Sequence, residues 1–273
     1  MSLKTITTSD LIKALTLHTR EHIALVGGGG KTTLLFALAE ACLGREKRVV
    51  TGTTTKVWYY QALKAPRMVL VQEDPSWKER LRNGLSAERH VFLGQEVLAS
   101  RKVGGISPSL ADDLYAGRQM DYLLLEADGA AGRPLKAHAP HEPVIPRSVT
   151  KVVAVIGLEA LGRPFSRETV FRDERFREIT GCLPGQRLSA PIVAGLLLHP
   201  LGLFKGAPDS AQRIVFLNKA DLLTDAEEAE EMAHLILGQS LHTKIRVVMG
   251  SVKTGQYTMA TEEKNGGHLS QSH

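Results

Sequence analysis

A chain of 273 residues is long enough to bury one large α/β core, and 43% apolar with 23% charged residues is ordinary globular usage, which excludes collagen-like, wholly disordered and membrane-embedded classes. The formal charge of +5 invites a nucleic-acid reading, but Lys and Arg are scattered and aromatics are 5%, so no stacking platform is interleaved with basic residues and no nucleic-acid partner is expected. Cys42 and Cys182 lack a second Cys or His at ligand spacing, which excludes a zinc site or disulfide framework and predicts two buried thiols.

Lys4, Asp10, Lys13 and Arg20 interrupt the apolar residues of the N-terminal region, and no apolar run approaches the ~18 residues needed to span a bilayer. A cytoplasmic chain, neither exported nor anchored, is expected. Ser9 predicts the cap of a first helix over residues 9–19, with Leu11, Ile12 and Leu15 at helical spacing, packed outside the core. The apolar run His22–Val26 then stops at four glycines and gives way to the helical pattern Leu34, Leu35, Leu38, Ala41, Cys42. Strand, tight loop and helix follow in that order.

Such a unit is what phosphate binding demands. In Gly27-Gly28-Gly29-Gly30-Lys31-Thr32-Thr33, the glycines let successive backbone N–H groups turn toward one anion, the helix start adds its positive end, and Lys31 reaches the β and γ phosphates of a nucleoside triphosphate. Thr32 offers its hydroxyl to Mg²⁺. The first glycine of the G-x-x-x-x-G-K-[ST] pattern would fall at Leu25, so the loop is a shortened form, closer to the G-G-x-G-K-T-T loop of ATPases and GTPases that include metallochaperones. Val26 stands where many of those carry a lysine, and the competing reading is an ordinary Gly-rich turn.

Further apolar runs lie at 49–51, 68–71, 90–93, 122–125, 152–156, 214–217 and 245–248. Their continuous hydrophobicity predicts strands buried on both faces: a three-layer P-loop NTPase-like α/β fold with a mostly parallel sheet, as one domain over 1–257. The polar stretch 258–273 has no periodicity and is expected to be a disordered tail.

Sheets of this kind place ligands at the carboxyl ends of their strands. Thr53-Thr54-Thr55-Lys56 follows the second core strand and is a candidate for contact with the γ-phosphate or a substrate, unless it is a threonine run within a strand. The strand 121–125 delivers Glu126 and Asp128 as candidates for Mg²⁺ binding and catalysis, with Gly129 N–H available to a terminal phosphate; which acid binds metal is open, and a solvated loop is the alternative. Arg133, Lys136, His138, His141 and Glu142 crowd the next loop, which Pro134, Pro140, Pro143 and Pro146 stiffen into a surface for an anionic substrate or leave as a solvated Pro-rich loop. The prolines oppose the helix that would let His138 and His141 share a metal. Asn218-Lys219-Ala220-Asp221 after a strand matches N-K-x-D, whose carboxylate accepts two hydrogen bonds from guanine, so GTP is favoured over ATP. Ser251 and Lys253 occupy the position of a second base-contacting loop; the alternative for Asp221 is a helix cap.

The segment Glu126 to Pro146, reading EADGAAGRPLKAHAPHEPVIP, closely resembles the selenium-dependent hydroxylase accessory protein YqeC family, and the likeness extends through Thr53–Lys56 and Gly157–Gly162 to Asn218–Asp221. That resemblance implies a role in preparing the cofactor of selenium-dependent molybdenum hydroxylases, with such a hydroxylase or its cofactor as partner. Phe171-Arg172 stands where the family pattern has His-Arg, so no histidine role carries over, while Arg172 remains able to bind an anion. Three functions fit: a slow NTPase using Lys31 with Glu126 or Asp128, a small-molecule kinase with its acceptor on the Arg133–His141 loop, or a nucleotide-gated binding module without chemistry.

Overall fold

The computed structural model describes residues 3–239 and 245–262. Strand β1 (Leu3–Thr8) leads through the single-turn helix α1 (Leu11–Ala14) to β2 (Glu21–Gly27), the glycine loop and α2 (Lys31–Leu43). Next come β3 (Val49–Thr53), β4 (Lys56–Trp58), α3 (Tyr59–Ala62), β5 (Met68–Leu70), α4 (Trp77–Ala87) and β6 (His90–Gly94). A ribbon of β7 (Val97–Leu98) and β8 (Lys102–Gly104) precedes α5 (Pro108–Ala116) and β9 (Tyr122–Glu126). Then follow β10 (Leu135–Lys136), β11 (Lys151–Gly157), β12 (Val170–Phe171), α6 (Asp173–Thr180), α7 (Ala190–Leu198) and β13 (Gln212–Asn218). Helix α8 (Glu227–Gln239) and the strands β14 (Ile245–Ser251) and β15 (Gln256–Glu262) end the described chain.

The main sheet has ten strands in the order β1-β15-β14-β13-β11-β2-β9-β3-β6-β5, and every pairing from β14 to β5 is parallel. Its central strands are apolar without alternation because helices cover both faces. Ile23 and Leu25 of β2 pack with Leu34, Leu35 and Leu38 of α2, while Ala24 and Val26 face the cluster built with α7 and α8. Helices α4 and α5 extend that second layer over β3, β6 and β9. The fold is therefore a three-layer α/β sandwich of P-loop type, with β2 near the middle of its sheet.

Both ends of the chain depart from the sequence expectation. The helix expected over 9–19 is one turn, capped by Asp10 rather than Ser9, and Thr16 at φ 49° turns the chain before a second turn can form. Leu11, Ile12 and Ala14 are buried under α2 instead of lying outside the core. The tail expected from 258 is still sheet to Glu262, because β15 hydrogen-bonds to β14 on one side and β1 on the other; the remainder of that expectation lies outside the described residues. Cys42 and Cys182 are free and buried, as expected.

The glycine loop is fitted against β11 too tightly for side chains. A Cβ on Gly29, at φ 75°, would lie 2.1 Å from Gly157 N. Gly29→Ala is accordingly expected to destabilise the protein by about 2 kcal/mol or more in chemical unfolding. Gly129→Ala, where nothing lies within 4 Å of the added methyl, should shift stability by less than about 0.5 kcal/mol.

Candidate functional site

The loop between β2 and α2 is anchored from below. Gly27 N–H donates to Asp128 Oδ2 at 2.9 Å, Gly28 N–H to Val155 O at 3.0 Å and Gly29 N–H to Arg133 O at 3.0 Å. These three amides serve the scaffold, which corrects the expectation that the whole glycine run faces an anion. Gly27 is buried beneath the loop, and its place among ligand-contacting residues is not supported. What remains open is the start of α2: Gly30 is its cap, no side chain caps it, and first-turn amides have no partner within a helix. That end is an anion site by geometry and dipole together.

Asp128 corrects a second expectation. The chain leaves β9 after Glu126 and turns under the loop, so Asp128 is almost fully buried and faces protein on every side. Its carboxylate meets Lys31 Nζ at 3.0 Å, Lys136 Nζ at 3.4 Å and His138 Nε2 at 2.7 Å, besides Gly27 N–H. Burial alone would raise its pKa, but Lys31, His138 and Lys136 hold it well below the ordinary carboxylate range. Its carboxylate is engaged by protein groups, and it does not line the cavity described below. Lys136, expected to touch substrate, is equally buried: it also donates to Gly129 O and pairs with Glu142 at 3.0 Å. His138 is buried as well, its Nδ1 hydrogen-bonded with Gly202 O at 3.0 Å, which removes it as a metal ligand shared with His141.

Glu126 takes the other position. Thr32, on the first turn of α2, donates its hydroxyl to Glu126 Oε1 at 2.6 Å. Burial is the largest influence on Glu126 and raises its pKa, against the lowering effects of Lys31 and the Thr32 bond. A hydroxyl and a carboxylate are hard oxygen donors, which suits Mg²⁺ held with phosphate oxygens and water. Among the described residues no group of three or more His, Cys, Asp or Glu forms a metal cluster.

These parts open on a cavity of ≈ 880 Å³. Gly28–Thr33 and Glu126 form its floor, and Thr54, Thr55, Lys56, Gly129, Arg133, His141, Glu142, Arg172 and Lys219 contribute walls. Thr53 does not: it is buried, donating its hydroxyl to Glu126 O at 2.9 Å. Glu142 is already engaged by Lys136 and by Arg172 Nε at 2.7 Å. Trp58, Tyr60 and Lys102, which sequence reasoning passed over, also line the cavity.

The proposed base-reading residues flank this floor. Asn218 donates to Gly29 O at 2.8 Å and accepts from Val252 N–H at 3.2 Å, tying the β13 and β14 ends to the glycine loop. Lys219 pairs with Glu159, and Asp221 is exposed on the 3₁₀ turn after β13. Ser251 is buried and accepts from Lys253 N–H and Thr254 N–H in the β14–β15 turn, while the Lys253 side chain is exposed.

Residues 23–174 match the model of a family described as YqeC protein. The chain is 34% identical over 233 residues to a protein of Escherichia coli (strain K12) described as "Uncharacterized protein YqeC", covering 85% of this chain and 87% of that one. Solved structures with similar folds include the hydrogenase maturation factor HypB of Archaeoglobus fulgidus, at TM-score 0.38 and 14% identity over 89% of this chain and 87% of that chain. Another is the signal recognition particle 54 kDa protein of Aeropyrum pernix in complex with GDP, at TM-score 0.37 and 16% identity over 86% of this chain and 42% of that chain.

Removing the charge of Asp128 leaves Lys31 and Lys136 buried with one anion fewer. Asp128→Asn should therefore cost about 3–5 kcal/mol of stability in chemical unfolding, a loss that a solvent-facing catalytic acid would not show. Glu142 behaves similarly on a smaller scale: burial raises its pKa, but Arg172 and Lys136 hold it at about 2, against an ordinary 4.5. A carboxyl depressed by folding contributes its stability above its unfolded pKa and loses it as the pH falls toward its folded one. The thermal midpoint should drop as the pH is lowered through 4.5 toward 2, and Glu142→Gln should flatten that part of the profile.

Proposed function

The chain belongs to the YqeC family, and from that premise we propose that it is an accessory protein that binds a nucleoside triphosphate, GTP in preference to ATP, and hydrolyses it slowly. The observation that carries the proposal is the Thr32–Glu126 pair, 2.6 Å apart beside an uncapped helix start, on the floor of one large cavity. In this reading the phosphates lie against the first turn of α2, and Lys31 exchanges Gly27 O and Asp128 for phosphate oxygens. Thr32 and Glu126 hold the accompanying Mg²⁺, which supplies charge neutralisation at the phosphates. Gly129 and Thr54 line the same cavity at positions suited to the terminal phosphate.

The GTP preference rests on Asn218-Lys219-Ala220-Asp221 at the end of β13, with Asn218 already joining the glycine loop to Val252. The place in selenium-dependent hydroxylase maturation rests on the resemblance alone. A second reading, a small-molecule kinase, is favoured by Arg133, His141 and Arg172, which line the same cavity and offer an anionic acceptor a site. The two separate by whether phosphate is released to water or transferred.

Fluorescent GTP and ATP analogues titrated with and without Mg²⁺ test the binding step, and single-turnover phosphate release, with and without a cognate hydroxylase, tests the chemistry. Lys31→Ala is a poor probe because it also strips Asp128 of a counter-ion; Thr32→Val and Glu126→Gln avoid that. Glu126→Gln should raise the thermal midpoint of the nucleotide-free protein, since a buried carboxylate with an upward-shifted pKa is a cost at neutral pH. The same substitution should weaken Mg²⁺-dependent binding about tenfold or more. Equal affinity for the analogue in wild type and in both variants would overturn the assignment, and a wild-type preference for ATP would overturn the guanine reading.

A further inference from the structure

The cavity has an aromatic wall to which the proposed grip on a triphosphate assigns no part. Trp58, at the end of β4, and Tyr60, in α3, both line it, with ring centroids 6.5 Å apart and planes within 21° of each other. They remain 46% and 64% exposed, although large aromatic side chains gain most from burial. Strand β4 pairs with β8 so that Trp58 lies opposite Lys102, whose ammonium sits 4.5 Å from the Trp58 ring centroid. Lys56 enters the cavity from the same strand, and among the described residues neither lysine has a carboxylate within ion-pair distance.

Position in the sheet separates this wall from the base-reading segment. In the order β13-β11-β2-β9-β3, Asn218–Asp221 follows β13 and the aromatic ribbon follows β3, on opposite sides of the glycine loop. A triphosphate gripped at Lys31–Thr33 with its base toward Asp221 leaves the Trp58–Tyr60 side free. A volume of ≈ 880 Å³ lies near the upper end of the about 300–1,000 Å³ of small-molecule sites.

We propose that the Trp58–Tyr60 wall binds a second small molecule, a flat heteroaromatic ring with an anionic arm. The ring lies against the two aromatic side chains, and Lys56 and Lys102 receive the arm. Flat rings stack on aromatic side chains whatever their substituents, and lysines on the same ribbon provide the countercharge. This deepens the functional reading above by naming the class of molecule that shares the cavity with the nucleotide. It does not need that molecule to be phosphorylated by the protein.

Flavin mononucleotide is a suitable probe, because its own fluorescence anisotropy reports binding without reliance on tryptophan emission. It is titrated into protein preloaded with a non-hydrolysable GTP analogue and Mg²⁺. Saturable binding is expected, weakened about tenfold or more by Trp58→Leu and by Tyr60→Ala. Lys102→Ala, and riboflavin in place of the phosphorylated probe, should each weaken it several-fold. Trp77→Phe, on α4 away from the cavity, should leave it unchanged. Thermal midpoints of the Trp58, Tyr60 and Lys102 variants should match wild type, since those side chains lie outside the core, whereas Trp77 packs partly against the core and its variant is read by flavin binding alone. Absence of binding, or binding indifferent to both Trp58→Leu and Tyr60→Ala, overturns the proposal. So does mutual displacement of the flavin and the GTP analogue, which would give the wall to the triphosphate's own base. If the analogue alone fails to bind while flavin still depends on Trp58, the nucleotide reading falls and the ring site stands.

Discussion

The buried carboxylate of Asp128 is the contact on which the site depends. Transferring an ionised carboxyl out of water is costly unless charges and hydrogen bonds replace its hydration, and here Lys31, Lys136, His138 and Gly27 N–H supply them from two separate stretches of chain. The glycine loop, the β9 end and the segment after β10 are thereby locked to one another. Their mutual placement is what makes the cavity floor a fixed surface rather than three loose loops.

The same contact sets the terms on which Lys31 can meet a ligand. Its ammonium is already hydrogen-bonded to Gly27 O and paired with Asp128, so any anion at the start of α2 competes with an internal partner. Lys136 and His138 also hold Asp128, so its buried charge would stay compensated if Lys31 turned to a ligand. Lys136 in turn leans on Glu142, and Glu142 on Arg172. The glycine loop is thus connected by successive ion pairs to Arg172 on the far wall of the cavity.

Much of this was legible in the sequence. The runs beginning near His22, Val49, His90, Tyr122, Val152 and Ile214 are strands because a sheet covered on both faces leaves continuous apolar stretches. Gly27–Thr33 was legible because few other local structures need glycines, Lys-Thr and a helix start in that order. The roles of Glu126 and Asp128 were not, since two acids two residues apart look alike until it is known that the strand ends between them. Lys136 and His138 were read as solvent-facing because polar residues among prolines ordinarily are. The aromatic wall escaped notice because Trp58 and Tyr60 acquire Lys102 as a neighbour only through an antiparallel pairing of short strands more than forty residues apart. The edge strand β1 and its neighbour β15 have no continuous apolar run to mark them, and the partner that makes β1 a strand lies far along the chain.

That last pairing bears on how the protein comes into being. Strand β15 joins β14 next to it in sequence, but β1 pairs with residues more than two hundred positions later, Leu3 with Glu262 and Thr8 with Tyr257. Contacts of such sequence separation form late, because the intervening chain must be ordered before they are rewarded. Within the described chain β1 is synthesised before β15 and can pair only once β15 has been made. During that interval its backbone donors and acceptors are unsatisfied by the sheet, so the first strand of the described chain depends for its place on one of the last.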